Sequence, residues 1–358
     1  MQDKIKDEMV TEQIDIENFD YSSSSTESFV TFLQRFNLSL ALTSYDGHRL
    51  IVLRQVDGAL DTLLVPVVRP RGVTSSGNML TVASYTELIN FYRSDLTSVS
   101  ADVLDQADAL YLPRNTHITG EINIHDIGWG PDGLWFVNSR FSCLCTLQPD
   151  QSFKPRWWPY FLKGPTGNGA GHLNCMAMDQ GKPVYVTCFG EFDSQVSWRE
   201  QPDLHTGLLI DVEKNEPVLS GLYMPHSPTL YQGKVYLCNS GYGTVLCFDP
   251  QTRQSHVVAE LPGFTRGLYF YQHYMLVCCS KSRESSIKSA IPLQDRYSET
   301  VAGVYIVDTV DFSVVAFLQF DGDVSQLYDI TVLANTSRPQ VFGVQDPRVR
   351  DIFVFNQA

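Results

Sequence analysis

Short apolar runs that alternate with polar positions, each closed by a polar turn, follow one another along most of the chain. HDIGWGPDGLWFVNSRFSCLCTL, from His125, shows the unit: a polar head, an apolar run, a P-D-G turn, a second apolar run and a small or polar tail. Branched and aromatic side chains suit a pleated, half-buried strand, and the Asp-Gly pair suits the reversal between two of them. Looser copies begin at Arg71, His172, His226, Arg266 and Asp329, with heads spaced 40 to 63 residues apart. Six such units predict an all-β fold, a six-bladed β-propeller with four strands per blade.

Two other architectures fit less well. A β-sandwich gives no reason for six copies of one hairpin with the polar head always in the same place. An α/β fold needs amphipathic helices between its strands. Only two segments read as helical. TESFVTFLQRF at 26–36 sets Phe29, Phe32, Leu33 and Phe36 on one face, and TSVSADVLDQADALY at 97–111 lies in a long insertion. The hairpin FNLSLALTSYDGHRLIVLRQVD is expected to close the ring by joining the C-terminal strands, which removes an exposed sheet edge. The expected organisation is an acidic, Ser-rich tail over 1–25, then one propeller domain over 26–358 with a short helical extension at its start.

Composition narrows the partners. Of 358 residues, 43% are hydrophobic and 18% charged, the balance of a globular chain, and the net charge is −14. A surface so negative repels phosphate backbones and anionic lipid, so neither nucleic acid nor membrane is expected as a partner. No run approaches the roughly 18 apolar residues of a membrane helix, and the first residues lack an apolar signal core, so a cytoplasmic protein is expected. The eight cysteines form no C-x-x-C pair and sit mostly in strand-like runs, which predicts reduced, buried thiols. Oligomeric state is not legible.

In a propeller blade the innermost strand begins, and the second strand ends, on one face. The six polar heads and the tails Ser84, Asn138, Ser139, Arg140, Asn239, Ser240, Ser280 and Lys281 should therefore ring the mouth of the central channel, where a small-molecule site is expected. GEINIHDIGWGPDGLWFVNSRFSCLCTL, GHLNCMAM, SWRE, MPHSPTL and ELPGFTRGL resemble the signatures of a bacterial propeller family of conserved hypothetical proteins, a domain of unknown function. The resemblance runs from about Phe32 to Phe320 and implies a propeller without an assigned activity. Cys175 stands where glycine is usual after H-L-N, and Val196-Ser197 stand where glycines usually precede W-R-E.

The heads suggest two chemistries. His125, His172 and His226 converging on one mouth could bind Zn²⁺, Mn²⁺ or Fe²⁺ with an open position for substrate, or act as acid and base. Equally, each could tie one blade to the next. Asp126, Asp329 and Tyr328 could complete such a site. Arg71, Arg140 and Arg266 offer guanidinium forks for a carboxylate, phosphate or sulfate, and Asn138, Asn174 and Trp198 are further candidates for substrate contact. PTGNGAGH lacks the G-K-[ST] ending of a phosphate loop and reads instead as a loop that delivers His172. No nucleophile elbow is present. The expectation is an enzyme of the lyase, isomerase or hydrolase type on an anionic or polyhydroxylated small molecule. The alternative is a non-catalytic ligand- or protein-binding propeller using the same face.

Overall fold

A computed structural model describes residues 18–94, 107–193, 198–282 and 291–354. Most of the tail, most of the second helical candidate and Val196-Ser197 lie outside these segments. Ala109–Tyr111, at that candidate's end, belongs to a strand.

Six antiparallel sheets form the ring. Blade 1 runs outward through Val73–Ser76, Met79–Ala83, Glu87–Ser94 and Ala109–Ile118. Blade 2 runs through Ile124–Gly130, Gly133–Asn138, Cys143–Gln148 and Gln151–Trp157, and blade 3 through Leu173–Asp179, Lys182–Cys188, Gly207–Asp211 and Glu216–Leu222. Blade 4 comprises Pro225–Tyr231, Lys234–Asn239, Thr244–Asp249 and Gln254–Glu260. Blade 5 comprises Phe264–Tyr271, Tyr274–Ser280, Gly303–Asp308 and Val314–Phe320. Blade 6 takes its inner strand, Leu327–Ala334, from the end of the chain and its outer three, Leu38–Ser44, Arg49–Val56 and Ala59–Pro66, from the beginning. The expected closing hairpin is therefore found. Each inner strand packs against the next in chain order, and blade 6 returns to blade 1.

The alternation seen in the sequence becomes apolar layers between blades. Val52, Val73, Val82 and Phe91 fill one such layer, and Val137, Leu144, Val186 and Ile210 another. The expected helix forms at Glu27–Phe36 and buries Phe29, Phe32 and Leu33 among side chains of blades 5 and 6, with Phe32 edge-on to Tyr274 at 5.2 Å. The tail boundary differs from expectation, because Ser23–Ser25 adds a fifth strand to blade 5. Backbone pairing with Val314–Phe320 outweighs the polar composition that made this segment read as tail. On blade 1, Pro339–Val341 likewise adds a parallel fifth strand. All eight cysteines are free and buried.

The inner strands share one irregularity near the mouth. In blades 2 to 6 the pairing of inner and second strands slips by one residue at the same height, between Ile124 and Ile127 in blade 2 and between Leu327 and Ile330 in blade 6. A β-bulge of this kind bends the strand and re-aims its side chains.

Blades crowd where their hairpins meet. A Cβ at Gly130 would stand 1.8 Å from the Gly181 carbonyl oxygen of blade 3, which is backbone and cannot swing aside. Gly130→Ala is expected to cost roughly 1–3 kcal/mol of stability by overpacking. Thermal denaturation checks this, and an unchanged melting temperature would contradict the blade contact.

Candidate functional site at the channel mouth

One residue per blade stands near the mouth, at or just before the bulge in blades 2 to 6: Arg71, His125, Asn174, His226, Arg266 and Tyr328. His125, Asn174, His226 and Tyr328 each follow the residue opposite the end of their blade's second strand, as His125 follows Ile124 opposite Asn138, and Arg266 follows Thr265, opposite Cys279 one residue before that end. Arg71 takes the equivalent place through backbone bonds between Arg71-Gly72 and Ala83. Four of the six expected heads therefore stand in this ring. His172 and Asp329 do not, because the bulge and the Ala170–His172 turn shift the chain. Asn174 and Tyr328 take their places.

His172 nonetheless reaches the mouth from its turn, where it adopts φ 47°. Its ring lies 5.1 Å from that of His125, 4.6 Å from Phe189 and 5.1 Å from Trp198. The loop that delivers it is tied down, with Gly169 N–H donating to Arg140 O at 2.8 Å and Ser142 Oγ donating to Ala170 O.

His125 and His226 are held alike. Each Nδ1 faces the carbonyl oxygen two residues back, Asn123 O at 3.0 Å and Met224 O at 2.9 Å, and a serine hydroxyl, Ser139 or Ser240. A carbonyl only accepts, so Nδ1 carries the proton and Nε2 is left as an acceptor. In His226 that acceptor is occupied, since Arg266 Nη1 donates to it at 3.1 Å. A guanidinium can only donate, which fixes the same tautomer independently. Burial first, and then Arg71 for His125 or Arg266 for His226, push both imidazoles well below their usual pKa. Burial, then Arg199, Arg71 and Arg266, lower His172 to about 3. All three are neutral at physiological pH.

One residue deeper lie Asp126 and Asp329. Asp126 accepts from Ile127 N at 2.7 Å and across the blade boundary from Met176 N at 2.8 Å. Asp329 accepts from Ile330 N at 2.8 Å and from Val73 N of blade 1 at 2.8 Å. Burial raises Asp126 to about 6, and burial with the nearby Asp126 charge raises Asp329 well above the carboxylate range. These groups stitch blade 2 to blade 3 and blade 6 to blade 1.

On the blade 5, 6 and 1 side the mouth is cationic and aromatic. Arg266 Cζ lies 4.9 Å from the Phe264 ring centre and 4.3 Å from that of Tyr328. Arg71 Cζ lies 5.4 Å from the same Tyr328 ring and 4.8 Å from Tyr45. Arg69 continues the series, at 5.8 Å from Tyr45 and 5.1 Å from Tyr85. Guanidinium and ring alternate from the channel to the rim. Stacking of this sort contributes about 0.5–2 kcal/mol per pair and occupies the face of a guanidinium rather than its N–H edges.

A family model described as a domain of unknown function, DUF4915, matches residues 27–342. The chain belongs to that family. No curated protein matches. Among solved structures, a propeller chain in the crystal structure of a nidogen/laminin complex superposes with a TM-score of 0.50 at 11% identity, covering 83% of this chain and 99% of its own. At that identity the likeness is one of fold alone.

Within this DUF4915 propeller the other expected site residues divide. Trp198 packs over His172, and Arg199 Cζ stacks on it at 4.4 Å. Asn174 Nδ2 donates to Pro225 O at 3.3 Å, tying blade 3 to blade 4. Asn138 is fully buried, and its side-chain oxygen accepts from Phe141 N at 3.0 Å, shaping a turn rather than facing the channel. Arg140 lies exposed on the rim, bonded to the Glu121 carbonyl at 2.9 Å with the Glu121 carboxylate 4.0 Å away. Among the described residues no group of three or more His, Cys, Asp or Glu side chains is arranged as metal ligands. Tyr45, Arg69 and Tyr85 were missed by sequence reasoning. Tyr45 and Tyr85 stand one and two residues past second strands, where a consistent register would have pointed to them.

The depressed His172 pKa has a pH signature. The unfolded chain protonates this imidazole near pH 6.5 and the folded chain near 3, so its contribution is complete above about pH 6.5 and is lost as pH falls towards 3. Asp126, shifted upward, offsets part of that loss between about pH 6 and 3.8. His172→Gln is expected to lose less stability than the parent between pH 7 and 4 in denaturant titrations. Parallel losses would show that His172 is protonated in the fold.

Proposed function

We propose that the channel mouth recognises a small anionic molecule, held by Arg71 and Arg266 astride Tyr328. That shared ring is the observation that carries the reading. A guanidinium drawn into a protein is costly unless an anion meets it, and Arg71 has no ion pair among the described residues. The two carboxylates one layer down are engaged by backbone N–H groups. The imidazoles are neutral, so the mouth carries net positive charge inside a chain of net charge −14. Such a field attracts small anions and opposes a divalent cation. Bidentate contact to a carboxylate or phosphate suits these forks.

A second reading is acid–base turnover of the bound anion, as in a lyase, isomerase or hydrolase. His172 Nδ1 is buried and has no hydrogen-bond partner among the described residues, and a neutral imidazole beside a bound anion can accept a proton. Zn²⁺, Mn²⁺ or Fe²⁺ on the histidines would require His226 Nε2 to leave Arg266. Equilibrium dialysis against each metal checks this: retention of one equivalent, lost in His226→Ala, would favour the metal site over the anion site.

Arg71→Lys and Arg266→Lys are each expected to weaken anion binding roughly ten- to a hundredfold, the worth of a lost charge-assisted hydrogen bond. Calorimetric titration with phosphate, acetate and sulfate measures it. Unchanged affinity in both folded variants would overturn the proposal.

A further inference from the structure

Arg69 belongs to the stack but not to the mouth. It is half-buried at the rim, set between Tyr45 and Tyr85 and separated from Arg71 by Pro70. Its backbone takes φ 44°, a left-handed conformation that costs an arginine energy and is rarer still before proline. A surface arginine needs no such conformation to reach water. Here the guanidinium lies against two rings, those of Tyr45 and Tyr85.

Neighbouring carboxylates do not account for it. Glu121 hydrogen-bonds Tyr85 and lies 4.0 Å from Arg140. Arg69 has no ion pair among the described residues. Its charge instead helps to lower the pKa of His48, together with Arg49, behind burial as the main cause. The rim beside blade 1 therefore carries the charges of Arg69 and Arg49, with Asp46 opposing them. Tyr45 stands between this centre and the Arg71 centre, touching both guanidiniums.

The geometry points to a second anion subsite at Arg69, so that the ligand carries two anionic groups on separate atoms. One group would sit on Arg71 and Arg266 and the other on Arg69, with the body of the ligand passing over Tyr45. This rests on the anion site proposed above and adds the ligand's class: an α,ω-dicarboxylate, a phosphorylated acid or a bisphosphate rather than an anion with one charged centre. Carboxylate and phosphate share the chemistry a guanidinium fork recognises, and the probes separate them.

The test compares one-centre anions, acetate and inorganic phosphate, with two-centre anions of the same chemistry. These are the dicarboxylates from malonate to pimelate, pyrophosphate and 1,3-bisphosphopropane. Calorimetric titration of the intact chain should find at least one two-centre anion about tenfold or more tighter than its one-centre counterpart. Arg69→Gln should abolish that advantage and leave the one-centre affinity within about twofold, while Arg69→Lys, which keeps charge but loses the stack, should fall between. Two-centre anions no tighter than one-centre anions would overturn the second subsite and leave the mouth site standing. The second subsite is equally overturned if Arg69→Gln and Arg69→Lys, both shown folded by circular dichroism, weaken the two classes of anion alike. No binding of any probe would overturn both sites.

Discussion

The bulge near the mouth of the inner strands of blades 2 to 6 is the constraint on which the site depends. A regular strand alternates its side chains between two faces, so it serves the layer between blades and leaves few positions for the channel. Slipping the pairing by one residue frees a pair in each of four blades that runs from mouth to neck, His125-Asp126, Asn174-Cys175, Arg266-Gly267 and Tyr328-Asp329, while in blade 4 the slip falls just after His226. The first residue of each pair reaches the mouth and the second lies at the neck. Where the neck is narrowest the second residue is glycine. A Cβ at Gly72 would meet the backbone of Asp126 at 3.2 Å, and one at Gly267 would meet that of Asp329 at 2.7 Å. The backbone of each aspartate lies against the glycine of a neighbouring blade, and the Asp329 carboxylate also takes the Val73 N–H of blade 1. Position, size and hydrogen bonding at the neck therefore solve one packing problem together.

Electrostatics divides the mouth in two. Across blades 2 to 4 the polar groups are neutral imidazoles and an amide, walled by Phe189 and Trp198. Across blades 5, 6 and 1 they are guanidiniums between rings. The halves are coupled, because Arg266 donates to His226 and its charge helps to keep His172 neutral. A neutral imidazole is the form able to accept from Arg266, so protonating His226 would break that bond and set two cations side by side.

The architecture was legible in the sequence because it rests on patterns that repeat: alternating strands, turn residues, a closing hairpin and one amphipathic helix. The polar heads were legible as a class, and Arg71, His125, His226 and Arg266 were placed correctly. Errors arose where pairing slips. A bulge changes which residue faces the channel without changing composition, so His172 stood in for Asn174 and Asp329 for Tyr328. Asn138 looked like a rim group because a strand end and a turn former read alike. The arginine–aromatic stack was invisible for another reason. Its members come from separate blades, and no local pattern marks Tyr45 as the neighbour of Arg69 and Arg71. Ser23–Ser25 was hidden because backbone pairing asks little of the side chains.

Ring closure also dictates when the site can exist. Tyr45, Arg69 and Arg71 come from the first quarter of the sequence, while Arg266 and Tyr328 come from the last third. The two groups meet across the seam where Leu327–Ala334 completes blade 6. During synthesis, blades 1 to 5 can stack while the series of rings and guanidiniums is still in two pieces. Its cations come together only when the final inner strand docks. Repulsion between Arg266 and the Arg69–Arg71 pair thus falls on ring closure, and an anion present at that moment would ease it. Ligand and closing strand then act on the same equilibrium, and a bound two-centre anion would serve as a clasp on the ring.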